Sequence, residues 1–200
     1  GAATNRFWCT SSIGVSTGKW YVEIKNTVQG SHNLIGIAPR SAPALDWYLG
    51  GSGNVANADD DYQWGYKAED GNIVNNTNST SYGNTYGTTD IIGIALDLDN
   101  NKLYFSKNGT WQNSGDPTSG ATGTGAVSIT SASSNPTGVY HILGANATSG
   151  NSSTFQANFG NGYFGTTAVA SAGTNASGIG IFEYDVPTGY TALSTKGLNL

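Results

Sequence analysis

The sequence predicts an all-β protein, a two-sheet antiparallel β-sandwich. Three observations carry this. Short runs alternate apolar and polar residues with a period of two, as half-buried strands do. Gly, Ser, Thr and Asn fill the intervals, and these residues build turns. No stretch shows the 3.6-residue spacing of an amphipathic helix.

Residues 19–25 (KWYVEIK) place Trp20, Val22 and Ile24 on one face and Tyr21, Glu23 and Lys25 on the other. Residues 34–38 (LIGIA) follow after a polar turn, and Pro39 and Pro43 end pairing because proline cannot donate to a ladder. Residues 41–61 read as a long loop, and residues 62–67 (YQWGYK) as the next strand. Residues 71–89 read as a polar connection. The clearest element is a hairpin over residues 90–107. Ile92, Ile94, Leu96 and Leu98 alternate, Asp99-Asn100-Asn101-Lys102 turns, and Leu103 and Phe105 return. Residues 7–10, 139–143 and 154–159 are further strand candidates. Residues 114–138 read as a second long, low-charge loop, and residues 161–180 as an exposed one.

Two hundred residues suit one domain. The expected core spans about 7–165, with residues 166–200 as an extension packing on it. Methionine is absent, so the chain is expected to be a piece of a longer protein. Charged residues make up only 10 %, and the net charge is −5. Eight scattered Lys and Arg form no basic stripe, which excludes a nucleic-acid footprint. No apolar run reaches the roughly 20 residues of a spanning helix, so no membrane insertion is expected. Cys9 stands alone, without a disulfide partner, and is expected as a small buried hydrophobe.

Several segments, in order, resemble the SPRY (B30.2-like) family. They are Gly18–Ile24, Leu34–Ala38, Gln63-Trp64-Gly65-Tyr66, Tyr82-Gly83, the stretch Asp90–Asp99 with Leu103–Gly109, and Asn158-Phe159-Gly160. The resemblance implies a concanavalin-like jelly roll of two packed sheets, no cofactor, no catalysis, and ligand contact through loops. The run Pro187-x-Gly189-Tyr190-x-Ala192-Leu193 resembles the ending of SPRY domains in phage and bacterial proteins. It implies a virion-surface, extracellular location, such as a phage tail fibre, spike or decoration. Partners would then be a host-surface glycan or protein and other virion proteins, with a homo-oligomer such as a trimer usual for a fibre. A purely structural virion contact, a secreted bacterial adhesin and an intracellular peptide-binding adaptor are the alternatives.

Candidate ligand contacts are Arg40, Trp47, Tyr48, Tyr62 and Trp111, in or beside the long loops. Tyr and Trp give large, rigid contact area with a polar handle. The competing reading is that they plug the loop bases, and for Trp47 and Trp111 the two are balanced. Trp20 and Trp64 read as core. Asp59, Asp60 and Asp61 are weak Ca²⁺ candidates, against a solvated acidic loop. Glu183 with Asp185, and Asp97 with Asp99, are the acid pairs a glycosidase site could use. For Asp97 and Asp99 turn capping is the preferred role, and no enzyme is expected. His32 and His141 lack zinc-ligand spacing.

Overall fold

The computed structural model describes residues 7–39, 60–76, 78–146 and 152–199. Its strands are β1 (Phe7–Val15), β2 (Lys19–Val28), β3 (Asn33–Ala38), β4 (Trp64–Lys67), β5 (Asn72–Asn75), β6 (Asn78–Ser81), β7 (Ile91–Asp97), β8 (Lys102–Lys107), β9 (Thr110–Trp111), β10 (Val127–Ser128), β11 (Tyr140–Asn146), β12 (Thr154–Asn158), β13 (Tyr163–Phe164), β14 (Thr167–Ala168) and β15 (Thr191–Ala192). The helical pieces among the described residues are short 3-10 turns. The all-β class expected from the alternation is what the chain adopts.

The chain forms two compact units. One comprises Gly1–Ser16, Val28–Thr88 and Thr130–Thr154; the other comprises Thr17–Thr27, Thr89–Ile129 and Phe155–Leu200.

The first unit holds a six-stranded sheet in the order β1-β11-β3-β4-β5-β6. Leu34, Ala38, Val74, Leu143 and Ala145 form a buried cluster on one face. The other face carries Ile35, Ile37, Trp64 and Tyr66, also buried. Trp64 meets Tyr140 edge-on at 5.9 Å, and Tyr66 meets Tyr82 at 5.8 Å. Gly36 sits mid-sheet, opposite Leu143 and Gly65, where a Cβ would land on the carbonyl oxygen of Trp64. At the edge, β1 shifts register between Thr10 and Gly14, which spoils its outer ladder for further pairing. Cys9 lies on this edge strand and is exposed, not the buried hydrophobe expected. Its Sγ reaches the Gly144 carbonyl at 3.5 Å.

The second unit is built on β10-β8-β7-β2-β12, with β9 added to β8 and β15 added in parallel to β2. The expected hairpin is present as β7 and β8, with Ile94 opposite Phe105 and Leu96 opposite Leu103. Both faces of β2 are buried. Trp20, Val22 and Ile24 lie on one, and Tyr21 and Glu23 on the other. Tyr21, Ala95 and Tyr104 line up across three strands of that second face. Ile179, Phe182, Val186, Tyr190 and Ala192 of the C-terminal segment cover them. Phe182 stands edge-on to Tyr21 at 4.9 Å. Burying Phe182 and Val186 contributes about 1.5–3 kcal/mol each.

Residues 71–89, expected as a polar connection, contain the hairpin β5–β6. Ile73 and Val74 are both buried, so β5 shows no alternation, and β6 is exposed throughout. Residues 161–180 are largely exposed as expected but contain β13, β14 and the buried Phe164 and Ile179.

Candidate functional site

Arg40, Trp47, Tyr48 and Asp59 lie outside the described residues, as does the side chain of Asp60. Tyr62 ends a 3-10 turn (Asp60–Tyr62) and is half-buried. Burial pushes the Tyr140 phenol up to about 12; the Tyr62 phenol nearby adds to the rise, and a hydrogen bond from Asn135 opposes it.

Trp111 belongs to the other unit. It pairs with Ser106 across β9 and β8, and its ring stands edge-on to Tyr21 at 6.4 Å. It is half-buried against the cluster that seats the C-terminal segment. This packing is of the kind that the plugging reading expects. The chain behind it is tightly turned, with Asn113 and Ser114 both at positive φ (+54° and +53°).

Asp61 is tied to the β5–β6 turn. Its Oδ1 accepts from Asn76 Nδ2 at 2.7 Å, and its backbone carbonyl accepts from Asn75 Nδ2 at 3.2 Å. Among the described residues no group of three or more His, Cys, Asp or Glu could hold a metal ion. The His32 ring lies 3.5 Å from Glu69, and the His141 ring 2.9 Å from the Ser11 carbonyl.

The acid pairs hold structure. Asp97 accepts the N–H groups of Asp99 (3.1 Å) and Asn100 (3.0 Å) and pairs with Lys19 at 2.9 Å, which is the turn-capping role expected. Glu183 accepts the Ala170 N–H at 2.7 Å. Asp185 accepts both the N–H and the hydroxyl of Thr174, at 2.6 and 2.8 Å. Both therefore shape the C-terminal segment.

Glu23 is the group that sequence reasoning undervalued. Its fully buried carboxylate meets Asn158 of the neighbouring strand β12 and also reaches the C-terminal segment. Oε2 accepts the Glu183 N–H at 2.9 Å and Oε1 accepts the Tyr184 N–H at 2.8 Å. Tyr21 donates its hydroxyl at 3.2 Å and Asn158 its Nδ2 at 3.3 Å. Burial keeps the Glu23 carboxyl above its ordinary range despite these four donors. The signal available in the sequence is an acid placed among Trp20, Tyr21, Val22 and Ile24, which demands partners when buried.

Residues 18–145 match the family described as SPRY domain. The chain is similar to the SPRY domain of human HERC1 at 15 % identity, with a TM-score of 0.55 over 78 % of this chain and 84 % of that one, a likeness that shows the fold alone. No curated protein matches the chain. The match over 18–145 spans more than half of the sequence, and the chain belongs to the SPRY family, with the family's β-sandwich as its fold class. SPRY domains are generally protein-interaction modules.

Proposed function

We propose that this member of the SPRY family is a non-catalytic binding module on a virion surface, in a tail fibre, spike or decoration, where it recognises a host-cell glycan or protein. The observation that carries the reading is the C-terminal segment. Its Pro187-x-Gly189-Tyr190-x-Ala192-Leu193 run resembles the ending of phage and bacterial SPRY domains, and it lies beyond the matched residues 18–145. The segment is integral to its unit: Tyr190 is 1 % exposed, and Leu193 N–H bonds the Tyr21 carbonyl at 3.2 Å. The engagement of Glu23, Asp97, Glu183 and Asp185 by structural donors supports a binding rather than a hydrolytic role.

The test is adsorption. The purified chain should bind susceptible host cells and compete with phage attachment; failure of both on a susceptible host overturns the reading. The family's general role in protein interaction favours a second reading, a peptide-binding adaptor. That reading expects capture of a defined peptide with no cell-surface adsorption.

A further inference from the structure

The hairpin β13–β14 stands on a backbone fixed from below. Asn158, 0 % exposed, accepts the N–H groups of Gly160 (2.9 Å) and Gly162 (3.1 Å) through Oδ1. Its Nδ2 donates to the Ile181 carbonyl at 3.0 Å and to Glu23. The Ile181 N–H returns to the Gly160 carbonyl at 3.0 Å, and the Val169 N–H reaches the Gly162 carbonyl at 2.9 Å. Phe164 anchors the hairpin, 2 % exposed, with Lys25 Nζ 5.7 Å over its ring.

Alternation turns Tyr163 outward from that anchor, and it is 47 % exposed. Ile181 is 52 % exposed and lies beside Gly162, where a Cβ would stand 3.2 Å from the Ile181 Cβ. An exposed aromatic and an exposed aliphatic side chain thus flank one glycine, on a backbone that a single buried amide holds still.

The hairpin and its flanking residues carry no formal charge of their own; Lys25, over the Phe164 ring, and Glu183, at the Ala170 N–H, are the charged groups that stand beside them. Residues 117–182 contain no Asp, Glu, Lys or Arg. Asn161, Thr166, Thr167 and Ala168 are exposed around the hairpin. Glu183, just beyond, is engaged by the Ala170 N–H. An ionic ligand would meet no counter-charge on these residues. A neutral sugar suits them, because its C–H face packs on an aromatic ring while its hydroxyls use amide and hydroxyl groups. A Tyr ring held on a rigid turn makes such a contact at low entropic cost.

We infer that Tyr163, Ile181 and Asn161 form a subsite for a neutral saccharide, with the sugar face on Tyr163, its hydroxyls at Asn161, and an apolar substituent such as an acetamido methyl against Ile181. The inference rests on the chain being a binding module and names one ligand class for it. The probe is a panel of neutral oligosaccharides built from glucose, galactose and N-acetylglucosamine, titrated into the isotopically labelled full chain. At least one should shift the amides of residues 160–169 and 181. Tyr163→Ala should weaken that binding by about tenfold or more, Tyr163→Phe should keep it within about threefold, and Val28→Ser should leave it unchanged. No shift at these amides with any panel member, or equal binding by Tyr163→Ala, overturns the subsite. If the chain blocks host adsorption and Tyr163→Ala blocks it equally well, the subsite is overturned while the functional reading stands. If saccharides bind at Tyr163 while the chain neither binds susceptible host cells nor competes with phage attachment, the subsite stands and the virion reading fails.

Discussion

The Glu23 carboxylate accepts the backbone N–H of Tyr184 at 2.8 Å across 161 positions of sequence. With the Glu183 N–H, the Tyr21 hydroxyl and Asn158 it forms one buried knot that ties β2 to the C-terminal segment. Replacing Glu23 with Gln keeps the shape but turns one end of the side chain into a donor, facing a backbone N–H that needs an acceptor. The expected loss is about 2–3 kcal/mol. Urea unfolding checks it, as a lower midpoint.

Asp97 and Glu23 should act oppositely with pH. Burial pushes both carboxyls up. At Asp97 the Lys19 ammonium and the bonds from Asn100 outweigh it and hold the carboxyl below its ordinary range. At Glu23 burial prevails. Folded Asp97 takes up a proton less readily than in the unfolded chain, so its stabilisation is full above the ordinary Asp value and is lost as pH falls through the depressed one. Folded Glu23 takes it up more readily, so its stabilisation is full below the ordinary Glu value and is lost as pH rises through the raised one. Asp97→Asn should flatten the acid side of a stability-versus-pH curve, and Glu23→Gln should remove the opposing contribution. Unfolding midpoints between about pH 3 and 7 report both.

Thr89 has φ +77°, a conformation that a β-branched side chain resists. Its N–H bonds the Asn26 carbonyl at 2.7 Å, which holds the turn in place. Thr89→Gly relieves the strain and should raise stability by roughly 0.5–1 kcal/mol, visible as a higher melting temperature.

Gly36 admits no side chain, because a Cβ would land on the backbone of Trp64 in the adjoining strand. Gly36→Ala should cost about 3 kcal/mol or more, the range of severe core strain. The readout is loss of soluble protein, or of the dispersed amide spectrum of the six-stranded sheet.

Trp111, half-buried against Tyr21, gives a further measurement. Trp111→Ala should cost about 1–2 kcal/mol through lost apolar contact, while leaving saccharide binding at Tyr163 in place. A collapse of ligand binding with unchanged stability would instead give Trp111 the recognition role.

Strands whose apolar residues recur at every second position were readable from period alone, even where, as in β2 and β7, both faces are buried. Residues 19–25 and the β7–β8 hairpin show this, and Asp97 announced its turn by its place before Asp99-Asn100. The hairpin β5–β6 escaped because β6 buries nothing and β5 buries two adjacent residues, which leaves no alternation to detect. The extent of β1 escaped because its register shift interrupts the pattern. At the site level, a loop aromatic can be named from sequence, but its neighbour cannot. Trp111 found Tyr21, ninety residues away, and Glu23 found the N–H groups of residues 183 and 184. Gly162 and Ile181 gave no local sign of lying side by side, since Asn158 bonds the backbone of both from outside their segments.

The parallel pairing of β15 with β2, Thr191 opposite Trp20, sets an order on synthesis. The strands β2, β7 and β8 leave the ribosome well before residues 179–192. During that interval the Tyr21–Ala95–Tyr104 face and the Glu23 carboxylate have no cover. That apolar face stays open until residues 179–192 arrive, and chains cut short before Phe182 keep it open. Exposed strands of this kind favour aggregation, so yield in cells should depend on residues 179–192 more than on any earlier loop.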